Sequence, residues 1–283
     1  MMSYSPSNFN GIIVTGHTGQ CGKTVACAGL AGVFYNLGFR VMPVKPWVFQ
    51  SFSGKASVSN TQVSNTQVSN TQVSNSQVLN SQASGPTASG LPASTWDMQY
   101  FQTVLPQLPQ FETQLCEGPD AVKPHHWQAV IDACNRLPSP YLLETPGALS
   151  SLMAIRKTGY CDATDLSHAL DAPILLVIQR HPDLAGQLIP LLAYCSQEDV
   201  PVVGWLAVET TAPDTSGFIT ADWESAALAI STEYQVTYLG CIPHSVSISV
   251  PLCQQGNLIR NTECNIDLLP LQHALNLTVP IFG

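Results

Sequence analysis

The sequence predicts an α/β protein with one domain over residues 11–283, in which helices flank a doubly wound and mostly parallel sheet. Short apolar runs, typical of buried strands, alternate with longer helix-like runs along the chain. The first run leads through a glycine-rich loop into a helix, and a second strand follows within about 35 residues. Strand, helix and strand at this spacing form a βαβ unit with parallel strands, and the chain length suits one large domain.

The first βαβ unit follows a polar segment, residues 1–10, which we expect to be a flexible tail. Residues 11–15 are apolar and β-branched, which predicts a buried strand. Residues 23–37 are rich in Ala, Leu and Val and are followed by Gly38, a natural helix stop, so they predict a helix packed on a sheet. Residues 40–44 predict the second strand.

A low-complexity insertion at residues 52–94 interrupts this pattern. Within it, the pentad Ser-Asn-Thr-Gln-Val begins at Ser59, Ser64 and Ser69. Because one bulky apolar residue in five cannot build a core, the composition predicts disorder. A small stack of repeats is the alternative, but the few copies lack the terminal caps that solenoids need.

The alternation of strands and helices resumes near residue 95. It predicts strands at residues 141–143, 173–178, 200–208 and 236–242, and helices at residues 127–137, 183–195, 221–234 and 267–275. Strands that alternate with helices along a chain form a parallel sheet with helices on its faces, which is the predicted fold.

Charged residues are scarce, and their scarcity excludes several classes of protein. They make up 10% of the chain, against roughly 25% in an ordinary domain, and the net charge is −9. A nucleic-acid binder needs clustered Lys and Arg, and a membrane span needs about 20 consecutive apolar residues; the sequence has neither. The nine cysteines are scattered without a Cys-x-x-Cys pair, and no signal peptide is recognisable, so we expect reduced thiols in a cytoplasmic protein.

The strongest chemical signal is the loop at residues 16–24, with the sequence GHTGQCGKT. It follows a strand and opens a helix, as a phosphate-binding loop must, and five residues separate Gly16 from Gly22. Its backbone N–H groups and the helix N-terminus favour phosphate oxygens. Lys23 would reach the β- and γ-phosphates of a nucleotide, and Thr24 would place a hydroxyl on Mg²⁺, so the loop predicts ATP and Mg²⁺ as ligands.

Three further charged residues are candidates for the same site. Lys45 and Glu144 each follow or end a predicted strand, at the carboxyl edge where doubly wound sheets bind ligands. A lysine there could neutralise a transferring phosphoryl group, and a carboxylate could hold Mg²⁺. Asp97 is a lone acid after the insertion. The alternatives are a surface lysine at a strand end and solvated acids in loops.

These motifs resemble those of the dethiobiotin synthetase family, in that family's order and over nearly the whole chain. The match at residues 16–24 includes the five-residue gap of the family's phosphate loop. Residues 44–46 resemble its Lys-Pro motif, and residues 144–148 stand where it has Glu-Gly-Ala-Gly-Gly. Residues 203–207 resemble its Gly-Trp-Val-Ala strand, and residues 239–243 its Leu-Gly-Glu-Ile-Pro.

The resemblance implies a fold of the P-loop NTPase type and a role for each matching residue. Lys23 and Lys45 would be catalytic, while Thr24, Asp97 and Glu144 would bind the metal, and residues 242–244 would lie near the adenine. The residues implied to contact the nucleotide and its metal are Gly16, Gln20, Cys21, Gly22, Lys23, Thr24, Val25, Asp97, Glu144, Thr145, Pro146, Gly147 and Pro243.

The sequence departs from the family pattern at several positions. Residues 17–19 are His-Thr-Gly where the family has Thr-Asp-Thr, and the Thr18 hydroxyl is the alternative to the one missing at Gly19. Gly19 lacks a hydroxyl that the family uses near the transferring phosphate, and Gln20 replaces an acid. Phe49 stands where the family has a substrate-binding Ser, and Val208 where it has an adenine-reading Asn. These departures bear on specificity, whereas the lysines and metal ligands that phosphoryl transfer needs are present.

The implied activity is that of an ATP-dependent cyclo-ligase forming C–N bonds, in biotin biosynthesis. Its substrates would be the diamine 7,8-diaminononanoate and CO₂, and the family is homodimeric. An amidation enzyme of cobyrinic acid type has a similar loop, but residues after 200 are too few for its amidotransferase domain. A partitioning-type ATPase would carry a second loop lysine, which is missing. A degenerate relative that binds nucleotide without catalysis is the remaining alternative.

Overall fold

A computed structural model describes residues 11–45, 47–50, 96–107, 114–117, 140–145, 162–211 and 220–277, together with Ile131 and Leu149. The predicted tail and insertion lie outside the described residues, as does the predicted helix at residues 127–137 apart from Ile131. Within the described residues, no helix is long and apolar enough to cross a membrane.

A parallel sheet of six strands forms the centre of the described structure, in the order β2-β5-β1-β6-β7-β8. Its strands are β1 (Gly11–Gly16), β2 (Met42–Val44), β5 (Tyr141–Glu144), β6 (Ile174–Gln179), β7 (Val202–Val208) and β8 (Tyr238–Ile242). Every neighbouring pair in it is parallel, so all six carboxyl ends meet at one edge. The predicted α/β fold with a parallel sheet is confirmed.

Helices cover both faces of this sheet because successive strand residues point to opposite sides. Ile12 and Val14 pack on the face of helices α1 (Lys23–Asn36), α2 (Trp96–Val104), α6 (Leu258–Asn265) and α7 (Leu269–Ala274). Ile13 packs on the opposite face, with α3 (Ala163–Leu170), α4 (Leu184–Gln197) and α5 (Thr220–Tyr234). The strands are therefore apolar on both faces, which is why they form continuous apolar runs in the sequence.

Five described elements were not predicted from the sequence, and helix α2 is one of them. Strands β3 (Trp47–Gln50) and β4 (Gln114–Glu117) pair in parallel as a separate two-stranded sheet. Helix α3 begins at Asp162, whose carboxylate accepts from the N–H groups of Thr164 and Asp165 in a capping box. Helix α6 packs on α1, where side chains of α6 lie against two glycines of α1.

The contact between α1 and α6 depends on those two glycines. A Cβ built on Gly29 would lie 2.3 Å from Thr262 Oγ1, and one on Gly32 would lie 2.6 Å from Ile259 Cγ1. The α1 backbone is thus close enough to α6 to exclude side chains at these two positions. This contact fixes the helix that begins at the phosphate loop.

Candidate active site

The loop between β1 and α1 is held against the carboxyl ends of two neighbouring strands. Gly22, just before the helix, has φ of 95°, a conformation that strongly favours glycine. A Cβ on Gly22 would lie 2.7 Å from Val208 of β7, and one on Gly16 would lie 2.2 Å from the Val177 carbonyl oxygen of β6. Cys21 is fully buried below the loop, so its side chain anchors the loop.

Lys23 begins α1, and its side chain folds back over the loop. Its ammonium donates to the carbonyl oxygens of Thr18 at 2.9 Å and of Gly19 at 3.4 Å. The residue is 3% exposed, so the ammonium is held at the mouth of the loop rather than in bulk water. A phosphate group in the loop would meet this ammonium together with the N-terminal N–H groups of α1.

Lys45 lies between two carboxylates on the other side of the loop. Its ammonium is 2.9 Å from Glu144 Oε1 and also contacts Asp97 Oδ2. The Thr24 hydroxyl oxygen is 2.9 Å from Glu144 Oε1 and 3.3 Å from Asp97 Oδ1. The structure therefore brings together Thr24, Lys45, Asp97 and Glu144, although Asp97 follows a long insertion and Glu144 lies 47 positions beyond it.

Burial makes the charges of this cluster interdependent. Glu144 is 2% exposed and Lys45 is 8% exposed. Burial alone would lower the pKa of Lys45, but the carboxylates of Glu144 and Asp97 outweigh it and raise the pKa above the usual lysine value. Burial, reinforced by the charge on Glu144, raises the pKa of the neighbouring Cys27 thiol. Lys45 is thus a cation and Cys27 a neutral thiol.

The cluster has the donors of a divalent cation site. Glu144 Oε2 is buried and has no hydrogen-bond partner, and an unpaired buried carboxylate oxygen is costly unless a ligand pairs with it. Mg²⁺ favours one or two carboxylates completed by water and phosphate oxygens, and Glu144, Asp97 and the Thr24 hydroxyl fit that pattern. Among the described residues, no group of three or more His, Cys, Asp or Glu side chains forms a metal site.

A cavity of about 450 Å³ extends from the loop across the carboxyl ends of β7 and β8. At the loop end its lining includes Gln20, Lys23 and Thr24, together with Asp97 of α2. Its far end is lined by Val208, Glu209, Thr210, Ile242, Pro243, His244, Ser245, Ile248, Ser249, Val250 and Pro251. A volume of this size is typical of small-molecule and cofactor sites.

The predicted site residues fall into three groups in the structure. Those that line the cavity are Gln20, Gly22, Lys23, Thr24, Val25, Asp97 and Pro243. Lys45 and Glu144 adjoin the cavity, because Glu144 contacts Thr24 and Lys45 contacts Asp97. Thr145 follows Glu144, and its N–H donates to the Val14 carbonyl oxygen at 2.9 Å. Gly16 and Cys21 pack below the loop, while Pro146 and Gly147 lie outside the described residues.

Sequence reasoning missed Glu209 and the segment at residues 245–251, which lines the far end of the cavity. Glu209 directly follows β7, as Glu144 ends β5. The rule that ligands bind at the carboxyl ends of parallel strands therefore applies to both residues. The segment at residues 245–251 has no such signal, because its lining role depends on how the chain turns after β8.

The comparisons with known proteins give similarity at the level of solved structures, at low identity. No protein-family model matches the sequence, and no curated protein matches it. Among solved structures, the chain is similar to a nucleotide-binding protein from Archaeoglobus fulgidus in complex with ADP, with 10% identity and a TM-score of 0.43. That similarity covers 98% of this chain and 92% of the other.

Proposed function

We propose that this protein binds a nucleoside triphosphate with Mg²⁺ and transfers a phosphoryl group. The observation that carries the proposal is the convergence of Lys23, Lys45, Thr24, Asp97 and Glu144 around one loop at the carboxyl edge of the sheet. Phosphoryl transfer requires chiefly positioned positive charge and a metal site, and this cluster supplies the residues for both.

Within that class, we propose the dethiobiotin synthetase reaction, in which ATP drives ring closure of 7,8-diaminononanoate with CO₂. One amine takes up CO₂ as a carbamate, and a carbamate oxygen then attacks the γ-phosphorus as ADP leaves. The second amine attacks the carbamate carbon, inorganic phosphate leaves, and the cyclic urea forms. The support is the resemblance in sequence motifs, since the residues it marks as catalytic and metal-binding lie together in the structure.

Each residue of the cluster would have a separate role in this reaction. Lys23 would exchange its carbonyl acceptors, Thr18 and Gly19, for the γ-phosphate oxygens and stabilise charge that develops there. Lys45 would separate from Asp97 or Glu144 and place its ammonium on the carbamate oxygens. Thr24, Asp97 and Glu144 would hold Mg²⁺, which when bound offsets charge on the phosphate oxygens.

A nucleotide-binding relative without catalysis is the second candidate, and two observations favour it. Gly19 presents no side chain to the transferring phosphate, and apart from Gly19 and its two chain neighbours, no described residue has an atom within 4 Å of where its Cβ would be. Val208 lines the cavity where the family has an adenine-reading Asn. Both candidates predict nucleotide binding, so turnover separates them.

The test measures ADP release from ATP and Mg²⁺ with diaminononanoate and bicarbonate, each present or omitted. We expect turnover that depends on both. Lys23→Met should reduce turnover about 100-fold or more, as removal of a positioned charge does, whereas Arg40→Met, which removes an exposed cation, should leave it unchanged. ATP binding without turnover would favour the non-catalytic relative, and absence of ATP binding would overturn both candidates.

A further inference from the structure

The two ends of the cavity differ in what they can bind. What each end would bind is inferred on the basis of the proposed nucleotide binding. In the sheet, β1 lies between β5, which carries Glu144, and β6, beyond which lie β7 and β8. The phosphates of a nucleotide in the loop therefore face Lys23 and the Glu144 cluster, and its base extends towards the ends of β7 and β8.

The base end of the cavity has an apolar lining beside several polar residues, one of which is a carboxylate. Its apolar lining consists of Val208, Ile242, Pro243, Ile248, Val250 and Pro251. Three residues of the described lining carry a full charge: Lys23 and Asp97 at the loop end, and Glu209 at the base end. Apolar side chains contact the faces of a planar ring. Selection between bases by hydrogen bonding at this end therefore depends on Glu209 and the polar residues beside it.

The Glu209 carboxylate is fixed in place by two hydrogen bonds. Its Oε1 accepts from Arg180 Nη1 at 2.8 Å, and its Oε2 accepts from the backbone N–H of His244 at 3.1 Å. The Arg180 guanidinium is itself held over the Trp223 ring, 5.1 Å from the centroid. The side chains of Glu209 and Arg180 are each 16% exposed. The orientation of the carboxylate is thus set before a ligand arrives.

A fixed carboxylate selects ligands by what it can accept. An ionised carboxylate donates no hydrogen bond and offers about four acceptor positions, so each oxygen retains capacity beyond the bonds to Arg180 and His244. It pairs well with N–H groups of a base edge and repels carbonyl oxygens there. Adenine offers its 6-amino group, and guanine its N1–H and 2-amino group.

We propose that Glu209 determines base specificity by accepting a hydrogen bond from the amino-bearing edge of a purine. A hydrogen bond to a charged acceptor contributes enough that removing the amino group should weaken binding about 10- to 100-fold. Val208, the residue before Glu209, lines the same end of the cavity and has no polar side-chain atom, so of these two residues only Glu209 can pair with a base edge.

The experiment compares nucleotides that differ by one amino group, using calorimetric titration of the full chain with Mg²⁺ present. ATP is paired with purine riboside triphosphate, which lacks the 6-amino group, and GTP with ITP, which lacks the 2-amino group. We expect a 10-fold or greater preference for the amino-bearing member of at least one pair, and the pair concerned identifies the base. In Glu209→Ala that preference should fall below about threefold.

Glu224→Gln is the matched control, since Glu224 Oε1 lies 3.8 Å from Arg180 Nη2 without lining the cavity. It should leave the preference intact. If Glu209 served only to balance Arg180, Glu209→Ala would weaken both members of each pair equally, and that result would overturn the proposal. So would equal affinities within both pairs in the wild type. Failure of every triphosphate to bind would overturn the proposed function itself.

Discussion

Lys45→Met should leave the carboxylates of Asp97 and Glu144 without the cation that they share, so that the cluster needs a metal ion. In the structure, the Lys45 ammonium donates to Oε1 of the buried Glu144 carboxylate at 2.9 Å and also contacts Asp97. Removing one partner of a buried ion pair costs about 3–5 kcal/mol, because the other charge stays buried. Asp97 is 21% exposed at its side chain and so recovers part of its hydration, which leaves Glu144 as the main source of the loss.

A divalent cation should reverse that loss in the variant more than in the wild type. Mg²⁺ at about 100 times its dissociation constant stabilises the folded state by about 2.7 kcal/mol. In the wild type the cation must first displace Lys45 from Glu144 and Asp97, so its affinity without nucleotide is lower. The assay is urea denaturation of both proteins in EDTA and in a Mg²⁺ series, which yields the free energy of unfolding.

The double variant Lys45→Met/Glu144→Gln serves as the control. Because it removes the buried charge together with its partner, it should be more stable than Lys45→Met alone in EDTA and should respond less to Mg²⁺. The reasoning would be refuted if Lys45→Met were within about 1 kcal/mol of the wild type, or if Mg²⁺ stabilised both proteins equally.

Three further predictions concern folding. Gly29→Ala should destabilise the protein by about 1–3 kcal/mol in urea denaturation, because the new Cβ would lie 2.3 Å from Thr262 Oγ1. This loss would outweigh the better helix propensity of alanine. Adding Thr262→Ala should restore most of the lost stability. Asp162→Ala should cost about 2 kcal/mol by the same assay, since it removes the cap of α3. Burial, with the charge of Asp162, raises the pKa of Cys195 to about 12. An unfolded thiol ionises near pH 9, so stability should fall as pH rises from about 9 to 11, by up to about 1.4 kcal/mol per pH unit. Thermal denaturation of Cys195→Ala should show a shallower decline.

The parts of the fold predicted correctly are those that local sequence specifies. Strand β1, the loop and α1 form one contiguous pattern, with apolar residues, then glycines, then a run of helix formers that ends before Gly38. Periodicity and turn chemistry suffice there, because strand and helix are buried on all sides. The same holds for β6, β7 and β8, whose apolar runs lie at or near the predicted positions.

The missed elements depend on contacts between distant segments. Strands β3 and β4 are four residues each and lie more than 60 positions apart, so neither carries a periodic signal of its own. Helix α6 has the sequence LIRNTECN, in which four polar residues follow one another. Its position depends on the close approach of α1 at Gly29 and Gly32. Pairing and packing of this kind cannot be derived from one segment alone.

The same distinction holds for the site. Lys23 and Thr24 were predicted from a local motif. Asp97 is a lone acid after the insertion, and its place in the site is given by its contacts with Lys45 and Thr24. Glu209 follows a strand, but the sequence does not show which side chains lie beside it. The Glu209 carboxylate is held by Arg180, which follows the neighbouring strand β6. That contact can be predicted only when the order of the strands in the sheet is known.

The charges of the site explain why a nucleotide and a metal ion would bind together. Lys23, Lys45 and Arg180 supply three positive charges, which Asp97, Glu144 and Glu209 balance with three negative charges. Such a site has no surplus positive charge for a triphosphate, whose binding in a partly buried cavity would leave several negative charges uncompensated. A divalent cation would provide that surplus and would replace Lys45 as the partner of the carboxylates. The released ammonium would then be free to contact a substrate, so one exchange of cations would both complete the proposed metal site and release the lysine proposed to be catalytic.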